Sequence, residues 1–148
     1  GESARLSRRL VKSGRAAAAR TEVGFSFLNR DPSLFTVQLV AHPGDEPDTL
    51  ESEVWQEFDA VREHGIDEQE LHRGIKQLVA SFVMQAQNNF YRGLQVGLFQ
   101  VRANDWRRVN ALVSGYRAVT RDDVLRVARA YLTPDNRNVV TVRPGEAS

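Results

Sequence analysis

The 148-residue chain contains no cysteine. That excludes disulfides, thiolate zinc sites and cysteine nucleophiles together, and leaves the redox compartment open. Lysine is almost missing as well. Lys12 and Lys76 stand alone, and every other basic residue is arginine. Arginine-rich nucleic-acid binders carry a large charge excess, whereas the net charge here is +1. The bias is therefore read as GC-rich coding, and nucleic acid is not expected as a partner. No apolar run approaches the ~18 residues that a membrane span needs, so no span is expected. The first residues do not read as a signal peptide, and any export signal would lie upstream.

What is present is ordinary globular composition, 41% hydrophobic and 26% charged, at a length that fits one compact domain. Charge is distributed unevenly. Residues 1–30 carry a net +5, residues 31–70 a net −11 and residues 71–148 a net +7. Folding that brings these segments together neutralises them, and folding that separates them leaves polarised faces. The first outcome is expected.

The apolar pattern orders the elements. Leu6 and Leu10, four apart among Arg5, Arg8, Arg9 and Lys12, predict a short amphipathic helix from Glu2 to Ser13 that ends near Gly14. Residues 17–28 read as a strand, with Val23, Phe25 and Phe27 on one side. Residues 29–33 read as a turn, and Leu34 to His42 as a second strand in a hairpin. A helix over 48–64 carries Leu50, Val54, Phe58 and Val61 on one stripe and acids opposite, and Gly65 ends it. Asp67 and Glu70 then form a capping box for a helix with Ile75, Leu78, Val79 and Phe82 inside, running to about Gln87. After a break at Asn88-Asn89, a helix with Phe90, Leu94, Leu98 and Val101 on its buried side runs to Asn104. Asp105 caps the next, which contains Trp106, Val109, Leu112, Val113 and Tyr116. Thr120 and Asp123 repeat the box before a last helix that buries Val124, Val127, Ala128 and Tyr131. Asn138 to Arg143 is expected as the closing strand.

The fold class that follows is α+β, a two-layer α/β sandwich in which an antiparallel sheet is covered by several helices on one face. Three strands are few for so many helices, and the chain opens in mid-helix. Both features lead to the expectation that the domain is truncated at its N-terminal side.

Candidate chemistry is thin. The three histidines are His42, His64 and His72, and Glu63, Glu68 and Glu70 lie near the last two in sequence. Zinc peptidases place two histidines on one helix face beside a general-base Glu. Here Gly65 and the Asp67 cap put His64 and His72 on different helices, and neither H-E-x-x-H nor H-x-x-E-H occurs. Capping accounts for the carboxylates. There is no G-x-S-x-G elbow, and Ser81 and Ser114 fall inside helices. There is no phosphate-binding loop either, so Gly93 and Gly97 read as sites of close helix packing. Trp55, Trp106, Phe90 and Tyr91 are the residues able to stack on a ligand, although helical spacing places Trp106 and Phe90 in the core. No catalytic or metal-binding residue is assigned, and substrate-binding residues are unknown.

Three segments resemble one family. Residues 1–11, GESARLSRRLV, are similar to the glycine turn and "SRLxRxLR/V" helix of the second half-domain of insulinase/pitrilysin-type zinc peptidases. Residues 65–71, GIDEQEL, resemble their "G-hydrophobic-T/D-x-x-E-L" helix start. Residues 118–124, AVTRDDV, with Val127-Ala128, Tyr131-Leu132 and Val139 to Val142, resemble their "VTxEDVxRVAxxYL" ending and closing strand. The resemblance implies a metal-free, non-catalytic C-terminal unit of the mitochondrial-processing-peptidase-like metallohydrolase fold. It implies that zinc sits in another, N-terminal unit, so no cofactor is expected in this segment. It makes that unit or a partner subunit the expected partner, with peptide as the substrate of the whole enzyme and a homodimer as a further assembly. It also implies a bacterial processing protease, whose compartment, periplasm or cytoplasm, is unknown. Many such units lend an Arg after the helix leucine and a Tyr seven positions later, but with Leu10 as that leucine the two positions hold Val11 and Ala18. The segment alone is expected to be inactive. The competing expectation is a stand-alone interaction module that pairs through a sheet edge or its acidic helix.

Overall fold

The computed structural model describes residues 5–23 and 33–143. Two strands, β1 (Ala18–Val23) and β2 (Phe35–Val40), are followed by five α-helices. These are α1 (Pro47–His64), α2 (Glu68–Ala86), α3 (Asn89–Ala103), α4 (Leu112–Ala118) and α5 (Arg121–Tyr131). The fold is α+β. Its contacts divide into two compact units, one formed by residues up to Thr21, Val37–His64 and the chain from Leu125 onward, the other by Glu22–Thr36 and Gly65–Val124.

The first unit is built around a buried cluster of Leu6, Leu10, Ala16, Leu50 and Val54, with Ala19, Val37, Leu39, Ala41 and Phe58 packed against it. Sequence spacing produces this contact directly. Leu50, Val54 and Phe58 recur every fourth residue along α1, while Val37, Leu39 and Ala41 alternate along one side of β2 and its exit. The opening helix is wound as a π-turn over Ser7–Val11, in which the Lys12 N–H donates to the Ser7 carbonyl at 3.0 Å. It closes where expected. Gly14 takes the left-handed conformation at φ 74°, and the Leu10 carbonyl accepts the N–H groups of both Arg15 and Ala16 at 2.8 Å.

β1 and β2 pair in the expected antiparallel sense. The Ala17 N–H donates to the Val40 carbonyl at one end, and the Thr36 hydroxyl to the Glu22 carbonyl near the other. The end of the first strand and most of the expected turn at 29–33 lie outside the described residues. The expected closing strand is not one. Residues 137–143 form no ladder with β1 or β2, although Arg137 is extended at φ −120°, ψ 148°. Val139, Val140 and Val142 are exposed there. β-branched residues favour extended backbone, but a strand also needs a neighbour with free donors and acceptors in register.

In the second unit, α3 packs against α2 and against a 3₁₀ turn at Trp106–Ala111, and α2 packs against α4. Asp67 and Thr120 cap as read from the sequence, and Asn88, read there only as a break, is a cap as well. The Asp67 carboxylate accepts from the Glu70 N–H at 2.7 Å, and the Asn88 side chain from the Phe90 N–H at 2.9 Å. Thr120 and Asp123 bond reciprocally, Thr120 N–H to Asp123 and Asp123 N–H to the Thr120 hydroxyl, both at 3.1 Å. The expected single helix after Asp105 is instead a 3₁₀ turn over Trp106–Ala111 followed by α4, with the Asp105 carboxylate accepting from the Arg107 N–H at 3.0 Å.

Several residues expected to be buried are not. Phe90 is 72% and Trp106 42% exposed, and Leu78, Leu94, Val101, Val127 and Tyr131 are exposed as well. Helical spacing identifies a stripe, but whether this chain covers that stripe is a tertiary matter.

Candidate functional site

The charged residues of the first unit are assembled along α1. Its acids Glu51, Glu53 and Glu57 face cations drawn from both ends of the chain. Arg5 and Arg9 each approach Glu57 at 3.6 Å, and Arg9 also donates to Gln56 at 2.9 Å. The Arg15 Nε donates to Glu53 at 2.8 Å. That hydrogen bond, and after it the charge of Glu53, raises the Arg15 guanidinium above its ordinary value. The −11 segment is thus met by the +5 segment, which is the neutralising arrangement expected from the sequence.

At the same helix Arg137 donates to Glu51 at 2.7 Å and lies over the Trp55 ring, 5.5 Å from its centroid. Trp55 also stands edge-on to Phe58 at 5.5 Å, and its indole N–H donates to Glu51 at 3.3 Å. Trp55, a candidate stacking residue, is therefore occupied by the chain itself. Sequence reasoning missed Arg137, because nothing local marks a partner 86 positions away. It likewise missed Arg129, whose Nε donates to the Arg62 carbonyl at 2.9 Å in the last turn of α1, and Arg121, whose Nε donates to the Ile66 carbonyl at 2.7 Å.

The histidines do not converge. His42 follows β2 and is exposed, His72 is exposed on α2, and His64 ends α1 beside Glu63 at 3.5 Å with both side chains largely in solvent. Among the described residues no three His, Cys, Asp or Glu side chains are grouped so as to hold a metal ion. Ser81 accepts a hydrogen bond from Gln85 at 3.2 Å, and Ser114 donates to the Ala111 carbonyl at 2.9 Å. Each hydroxyl is engaged on its own helix, without a general base to activate it. Val11 is half-buried and Ala18 exposed, and neither side chain can donate a hydrogen bond to a peptide. Phe90 and Tyr91 meet edge to face at 5.6 Å, and Arg107 lies 5.0 Å from the Trp106 ring. No described helix is long and apolar enough to cross a membrane.

A sequence profile of the peptidase M16 inactive domain matches residues 1–78, just over half of the chain. The chain belongs to that family. Two of the three sequence motifs, at 1–11 and 65–71, lie inside the matched segment, and the resemblance to the C-terminal domain of insulinase-type peptidases is the same assignment. No curated protein sequence is significantly similar to the chain.

Solved structures extend the fold over the remainder. Two come from proteins described as putative zinc proteases. The inactive peptidase domain of one, from Bordetella parapertussis, has a TM-score of 0.78 and 22% identity over 98% of this chain and 78% of that one. The other, from Bordetella pertussis, gives 0.81 and 21% over the same shares. A protease from Helicobacter pylori gives 0.78 and 19%, over 90% of this chain and 32% of its own. At these identities the similarity is one of fold, and it takes in the third motif at 118–142.

Proposed function

We propose that the chain is the zinc-free unit of an insulinase-type metallopeptidase, or of an inactive subunit that partners one. Its role is to supply part of the wall of a chamber that confines peptide, while a separate N-terminal unit or subunit holds zinc and performs the cleavage. The family match over residues 1–78 carries this reading. Three further features support it. The 148 residues contain neither zinc-peptidase histidine motif, the Ser81 and Ser114 hydroxyls are engaged on their own helices, and Val11 and Ala18 stand where related units lend an Arg and a Tyr. In the H. pylori protease the same fold occupies about a third of a longer chain, as expected of one unit among several.

An interaction module acting through its acidic helix is less well supported. The α1 carboxylates Glu51, Glu53 and Glu57 are already paired with Arg5, Arg9, Arg15 and Arg137, which leaves less of that helix's charge for a partner.

The test is to purify the chain, measure bound zinc by mass spectrometry, and assay a library of quenched fluorescent peptides. No stoichiometric zinc and no cleavage are expected. If the ~300 residues encoded upstream, a reach set by typical domain lengths, carry H-x-x-E-H, co-expression with them is expected to yield a complex that cleaves, and if they do not, the chain is that of the inactive subunit. Zinc-dependent cleavage by the isolated chain overturns the proposal.

A further inference from the structure

We draw no further inference here: the strongest candidate, the chain segment 137–143 held by Arg137 on Glu51 and Trp55 and by Arg143 on Glu46, belongs to the contacts already described, and nothing in the structure shows what its backbone meets.

Discussion

Replacing Leu10 by alanine removes the largest fully buried side chain among the described residues, one with no exposed surface. Leu6, Leu50 and Val54 sit in the same cluster, with Val37, Leu39 and Phe58 at its border. Leu→Ala changes in cores cost about 2–5 kcal/mol, combining lost transfer energy with the cavity left behind. The cluster contains few residues and its border is half-exposed, so partial collapse is available and about 3 kcal/mol is the working value. For a chain of this length that lowers the melting temperature by roughly 6–12 °C. The Leu10 carbonyl accepts from Arg15 and Ala16 through the backbone, and those bonds survive the substitution, so the loss reports packing alone. Urea unfolding followed by circular dichroism measures it, with Val140→Ala as the control. Val140 is 86% exposed, and its truncation is expected to stay within about 0.5 kcal/mol. If Leu10→Ala costs less than 1 kcal/mol, the assignment of this cluster as the organising core of the first unit is wrong.

Three smaller effects follow from named contacts. Thr120→Ala removes the hydroxyl that accepts from the Asp123 N–H and is expected to cost about 1 kcal/mol, with Thr120→Ser restoring most of it, both read from urea midpoints. Arg137→Ala removes an ion pair with Glu51 and a cation–π contact with Trp55. About 1 kcal/mol is expected for these half-exposed groups, with the ionic part fading in 1 M salt, and Trp55 fluorescence reports the local change. Gly65→Ala forces a Cβ into the left-handed conformation at φ 72° and is expected to cost about 1–2 kcal/mol in the same assay, with Gly65→Asn costing less.

The parts of the fold legible in the sequence are those set by neighbours along the chain. Gly14 and Gly65 end helices where they should, and Asp67, Asp105 and Thr120 cap where they should, because each bond spans only two or three residues. The match of the basic opening to the acidic α1 was legible in sign but not in pairing. Which arginine meets which carboxylate depends on how the π-turn at Ser7–Val11 rotates Arg5 and Arg9 toward Glu57. Arg121, Arg129 and Arg137 were not legible at all. Each bonds a group 55 to 86 positions away, and arginine is too frequent in this chain for any one to stand out.

The two failures of the reading share a cause. Residues 138–143 have the β-branched composition of a strand and an extended residue before them, yet β1 and β2 provide no ladder for them. Their hold on the first unit is through side chains, Arg137 on Glu51 and Arg143 on Glu46 at 3.5 Å. Phe90, Leu94 and Val101 have the spacing of a buried stripe, yet they face outward on a helix already packed by its other side. In both cases local chemistry fixed the conformation and left the partner unspecified. Burial and pairing are properties of two surfaces, and the sequence of one surface states only that a second is required. An expected core residue found in solvent is therefore informative. It shows where the contacts among the described residues stop, and α3, with Phe90 and Val101 exposed, is where that boundary is sharpest.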